Sequence, residues 1–177
     1  EKLMKLGFPV GCNASSEAPS PAAPAVESRS GDIVNEGDNR ACIELCCSDN
    51  SQIGRDRKSS EHCSRYRITK SHDLSSTTGQ KHTMDIVRSC HRKFPGKVML
   101  WASIPCTGGC PWHRINKMRS KGTRRRIAQH IAMFKSIWGA FEKIIDLSCR
   151  LGDTVIAIEW PQSCDYWDYP EVKKMLE

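Results

Sequence analysis

The sequence predicts an α/β domain built on a mostly parallel sheet with helices on both faces, a three-layer (αβα) arrangement. From residue 41 onward, short apolar runs alternate with stretches of helical periodicity, and two of those runs are apolar almost throughout. Near-continuous apolar runs suit strands covered on both faces. Strand and helix taking turns along the chain implies right-handed crossovers between parallel neighbours.

The first strand is read at Ala41-Cys42-Ile43-Glu44-Leu45-Cys46-Cys47, closed by the polar turn Ser48-Asp49-Asn50-Ser51, with a second at Arg65 to Thr69. Over 80–93, Met84, Val87 and Cys90 recur three apart, and Pro95-Gly96 stops that helix. Lys97 to Ile104 holds the run Val98-Met99-Leu100-Trp101-Ala102 and reads as a buried strand. The strongest helix spans 124–150, where Ile127, Ile131, Phe134, Trp138, Phe141 and Ile145 form one stripe at intervals of 3 or 4. Gly152 and Asp153 end it, Thr154 to Ile158 makes another buried strand, and Pro170 to Leu176 begins a last helix.

Composition divides the chain near residue 40. Residues 1–40 carry four bases, six acids and four of the nine prolines, and are expected to be a disordered tail or linker. Residues 41–177 carry 23 bases and 14 acids, net +9, so the basic character of the chain (+7 in all) belongs to the expected domain. No apolar run approaches the roughly 18–20 residues that a membrane span needs, and no secretory signal opens the chain. Its first residue, Glu1, points to a piece of a longer polypeptide with other domains. The ten cysteines lie mostly within apolar runs, as small buried hydrophobes in a reducing, intracellular compartment do; a disulfide scaffold is the alternative.

In open parallel sheets, ligands sit beyond the carboxyl ends of the strands, and three of those ends carry unusual chemistry. The first is Glu44-Leu45-Cys46-Cys47-Ser48-Asp49-Asn50-Ser51. The second is Ser103-Ile104-Pro105-Cys106-Thr107-Gly108-Gly109-Cys110-Pro111-Trp112, and the third is Ile158-Glu159-Trp160-Pro161-Gln162-Ser163-Cys164. A Pro-Cys loop followed one helix later by a Glu-x-Pro loop resembles the S-adenosylmethionine-dependent cytosine-C5 DNA methyltransferases, over about residues 41–170. The resemblance implies a Rossmann-like methyltransferase fold, incomplete at its carboxyl end. It also implies S-adenosylmethionine as cofactor and nucleic acid, DNA rather than RNA, as substrate.

By that resemblance Cys106 is the nucleophile that attacks cytosine C6, which requires its thiol to fall below the ordinary value of about 8.5. Glu159 is the acid partner at cytosine N3. Glu44, Asp49, Asn50, Asp73 and Pro105 fall at cofactor-contacting places. The pattern departs from the family where the first loop lacks closely spaced glycines, where 48–96 is one strand-helix unit short, and where Trp160 replaces Asn. Each residue also has a plainer reading: Cys106 as a packed cysteine, Glu159 as a surface ion-pair partner, Glu44 as a strand-face carboxylate, Asp49 and Asn50 as turn formers.

Between Arg114 and Arg126 stand seven bases and no acid. Arg114, Lys117, Arg119, Arg124, Arg125 and Arg126 are expected to follow phosphates, with Trp112, Trp160, Tyr166 and Trp167 available to stack on bases. A solvated basic loop is the alternative. Cys106-x3-Cys110-x2-His113, joined by Cys164, also has the ligand types of a zinc site. Two further functions therefore stand beside the methyltransferase: a non-catalytic nucleic-acid-binding remnant of that fold, and a zinc-stabilised module.

Overall fold

Five strands form a single sheet in the computed structural model, which describes residues 2–7, 32–53 and 61–177. They are β1 (Lys2–Gly7), β2 (Arg40–Cys47), β3 (Cys63–Thr69), β4 (Val98–Ala102) and β5 (Thr154–Trp160). Their order across the sheet is β1-β5-β4-β2-β3. The four strands from β5 to β3 are parallel, whereas β1 closes the far edge antiparallel to β5, with Lys2 opposite Trp160 and Gly7 opposite Val155. The chain thus has the expected α/β class and mostly parallel sheet.

The helices are α1 (Thr77–Lys93), α2 (Trp112–Asn116), α3 (Lys121–Leu151) and α4 (Pro170–Leu176). Ser76 caps α1 by accepting from the Gly79 amide, and Ser120 caps α3 by accepting from Thr123. Gly96 turns the chain from α1 into β4 at a φ of 68°, a conformation glycine adopts without strain.

Alternation along the strands sorts the two faces of the sheet. Ala41, Ile43 and Leu45 of β2, Val98, Leu100 and Ala102 of β4, and Ile156, Ile158 and Trp160 of β5 share one core. Ile86, Val87 and Cys90 of α1 and Phe134, Ile137, Trp138, Phe141, Ile144 and Ile145 of α3 complete it. The crossovers β3–α1–β4 and β4–α3–β5 advance across the sheet in the same direction, so right-handed connections place α1 and α3 on one face, where they pack against each other. The opposite face is polar: Glu44, Arg65 and Arg67 are buried there, and Trp101 and Glu159 are half-buried. The expected second helical layer is not found on that face among the described residues.

The stretch expected to be a tail takes part in the sheet through β1 and through its far end. Ile33 bridges Arg65 with a pair of backbone hydrogen bonds. Asp32 accepts from the Arg67 amide at 2.8 Å, and Asp38 accepts from the Ser64 hydroxyl at 2.7 Å. These acids satisfy donors of edge strand β3, so residues 32–39 pack on the sheet ahead of β2. Residues 8–31 lie outside the described residues.

With 31 residues, α3 is roughly 46 Å long, about twice the length of β5. Phe134 stacks on Tyr166 at 3.7 Å between ring centroids and meets Trp160 edge-on at 5.8 Å, which levels it with the carboxyl end of β5. Residues 121–133 therefore project beyond the sheet. The turn Thr107–Gly109 packs against this projection so closely that a Cβ at Gly108 would stand 3.0 Å from the Ile131 amide nitrogen, and one at Gly109 would stand 2.8 Å from Cys164 Sγ.

Candidate functional site

The chain leaves β2 for β3 on one side and then returns to β4 on the other, which makes the carboxyl ends of β2 and β4 the topological switch point. A cleft of about 300 Å³ opens there, at the small end of the ligand-pocket range. Glu44, Ser48 and Ser51 line one wall and Ser103 and Glu159 the other, with Cys46, Cys47, Gln52 and Ile53 between. At its base β2 is irregular. The ladder slips between Leu45 and Cys47, and Cys46 holds a φ of 59°, a left-handed conformation that costs a non-glycine residue about 1–2 kcal/mol.

Register brings the acids together. Glu44 lies opposite Arg67 on one side and opposite Trp101 on the other. Ser51 Oγ donates to Glu44 Oε1 at 2.5 Å, and Arg67 Nε stands 3.6 Å from Glu44 Oε2. Arg67 Nη2 donates to the Ser51 carbonyl at 3.1 Å, tying the loop after β2 to β3. On the opposite wall, Trp101 Nε1 and Ser103 Oγ each donate to Glu159 Oε2 at 3.3 Å. Burial pushes the Cys46 and Cys47 thiols up to about 12, with the Asp73 carboxylate adding to the first and Glu44 to the second. At neutral pH both are thiols lining the cleft, not nucleophiles.

Of the residues proposed from sequence, the structure brings Glu44 and Glu159 together. Cys106 does not line the cleft: it is half-buried against the core. Its neighbour Cys164 is raised to about 11 by burial, with Cys106 and Cys110 adding to the shift. The Asp73 carboxylate is engaged locally, accepting from the Ser75 amide at 2.9 Å and the Ser75 hydroxyl at 2.7 Å. Asp49 and Asn50 stand in the exposed turn, where Ser48 Oγ donates to Asn50 Oδ1, and Pro105 is exposed beside Cys106.

In the basic stretch, Arg114 is committed to Asp165 at 2.6 Å, whereas Lys117, Arg119, Arg124, Arg125 and Arg126 are exposed. Trp160 and Tyr166 are core residues at 1% and 0% exposure and present no face for stacking; Trp160 Nε1 donates to the Ile104 carbonyl at 2.7 Å. The zinc reading loses its geometry: among the described residues no three His, Cys, Asp or Glu side chains converge to hold a metal. His113 Nε2 instead bonds the Thr107 carbonyl. No helix among the described residues is long and apolar enough to cross a membrane.

Sequence reasoning missed Arg67, Trp101, Ser103 and Ser51. Arg67 had a signal in the alternation Arg65-Tyr66-Arg67, which marks a polar face on β3. No protein-family model, curated protein or solved structure matches the chain.

Proposed function

We propose that the chain is a Rossmann-like, S-adenosylmethionine-dependent methyltransferase domain acting on nucleic acid in the manner of the cytosine-C5 enzymes. The observation that carries this reading is the placing of two acids, Glu44 and Glu159, in one cleft at the switch point. The strand order supports it. Dropping the outer third strand from the doubly wound order 3-2-1-4-5 leaves 2-1-4-5, which is the order β3-β2-β4-β5 and the shortening read over 48–96.

The cleft residues fit the cofactor on chemistry. S-adenosylmethionine carries a sulfonium, an ammonium and a ribose diol, and two carboxylates with the hydroxyls of Ser48, Ser51 and Ser103 suit those groups. When bound, the cofactor supplies an electrophilic methyl group. Glu44 and the loop from Ser48 to Ser51 would hold its cationic and hydroxyl groups. Glu159, oriented by Trp101 and Ser103, would be the acid partner at cytosine N3.

A second reading, the non-catalytic nucleic-acid-binding remnant, is favoured by Cys106, which packs beside Cys164 and does not line the cleft that holds Glu159. Titration calorimetry with S-adenosylmethionine tests the first reading: the chain binds it, and Glu44→Ala weakens binding roughly tenfold, about 1.4 kcal/mol. No heat up to about 1 mM cofactor would end it. Trapping on 5-fluorocytosine DNA separates the two readings. An adduct that vanishes in Cys106→Ala supports catalysis, and cofactor binding without an adduct supports the remnant.

A further inference from the structure

The projection beyond the sheet carries two exposed chemistries side by side. Lys121, Arg124, Arg125 and Arg126 are exposed on the first turns of α3, and Lys117 and Arg119 precede them. Among the described residues none of these six has an ion-pair partner, in contrast to Arg114. No acid stands in the first turn of α3, although the positive end of a helix is where acids stabilise and cations repel. Beside them Trp112, Ile115 and Met118, spaced three apart, are 69%, 56% and 87% exposed. The Arg114–Asp165 pair fastens this ridge to the segment after β5. Because the turns of α3 before Phe134 project beyond the carboxyl end of β5, cations and ridge lie towards the same end of the sheet as the cleft.

We infer that the surface formed by α2 and the projecting turns of α3 binds single-stranded nucleic acid, with Trp112 stacking on an unpaired base and the six cations following phosphates. This rests on the reading of nucleic acid as substrate and deepens it by naming the strand state and the residues that grip it. Phosphates alone would account for the cations, but an exposed indole finds a base face only where the bases are unstacked. A duplex keeps those faces inside its stack. An anionic membrane would demand an apolar helical face several turns long, and α2 has five residues.

Fluorescence anisotropy of the full chain with a labelled oligothymidine of about 20 nucleotides, and with a duplex of equal length, tests this across a salt series. The oligothymidine binds more tightly, with a log–log salt slope of roughly −3.5 to −4, for five or six phosphates at about −0.7 each. Trp112→Ala weakens it roughly tenfold and leaves the duplex unchanged, and Trp112→Tyr restores most of the loss. Arg124→Glu with Arg125→Glu weakens both. A preference for duplex, or a Trp112→Ala chain that binds oligothymidine as tightly as wild type, overturns the inference. So does binding to phosphatidylserine vesicles without binding to the oligonucleotide. Cofactor calorimetry on the same protein separates the two proposals. Oligothymidine binding of this pattern without cofactor binding leaves this inference standing while the methyltransferase reading falls, and cofactor binding without oligothymidine binding removes this inference alone.

Discussion

Glu44 and Arg67 face each other across adjacent parallel strands, with Oε2 and Nε 3.6 Å apart, at 4% and 8% exposure. A buried pair of this kind gains little net stability over an apolar one, but neither member tolerates loss of the other. Here the pair also carries the cleft, because Ser51 bonds Glu44 through its hydroxyl and Arg67 through its carbonyl.

Arg67→Met leaves the Glu44 carboxylate buried without the guanidinium that lies opposite it. The expected cost is about 3–5 kcal/mol in equilibrium urea unfolding, and the double variant Arg67→Met with Glu44→Leu recovers most of it. A single variant as stable as wild type would show that the pair is solvated in solution.

Trp101 and Ser103 converge on one oxygen of Glu159 without being deeply buried themselves. Trp101→Phe combined with Ser103→Ala should lower stability by no more than about 1–2 kcal/mol, two ordinary hydrogen bonds. The rate of adduct formation on 5-fluorocytosine DNA should fall roughly five- to tenfold as the carboxylate loses its orientation. Adduct trapping and urea unfolding on the same protein separate the two effects.

Phe134 joins α3 to the end of β5 through its stack on Tyr166 and its edge contacts with Trp160 and Tyr169. Truncating a buried aromatic residue leaves a cavity as well as lost transfer energy. Phe134→Ala should therefore cost about 3–5 kcal/mol, read from the shift in the urea midpoint at constant slope.

His91 is 6% exposed, and its Nε2 meets Ser148 Oγ at 2.7 Å, with Thr154 Oγ1 at 3.4 Å, while its buried Nδ1 has no hydrogen-bond partner among the described residues. Burial lowers its pKa from 6.5. Between the lowered native value and the unfolded value the unfolded chain binds the additional proton, so stability falls as pH drops. This contribution is fully present above about pH 6.5 and is lost progressively below it. The urea midpoint should fall between about pH 7.5 and 5.5 by more in wild type than in His91→Gln, which keeps a hydrogen-bonding side chain but cannot titrate. Equal slopes in the two proteins would refute the assignment.

What the sequence determined by itself is what local spacing controls. The apolar runs Val98–Ala102 and Thr154–Ile158 and the stripe from Ile127 to Ile145 impose strand, helix and their alternation. Strand alternation likewise made Glu44 and Glu159 legible as acids near carboxyl ends. The tertiary structure decided the matters that depend on which distant segments meet. Residues 2–7 became an edge strand only because β5 offers them a free ladder. The turn after Pro105 sets Cys106 beside Cys164 and outside the residues lining the cleft, and Arg114 finds its partner 51 positions later. Periodicity records how a segment lies against its immediate surroundings. Closing a long loop is a choice among many distant partners, and its outcome is set by the packing and charge of the whole assembled chain.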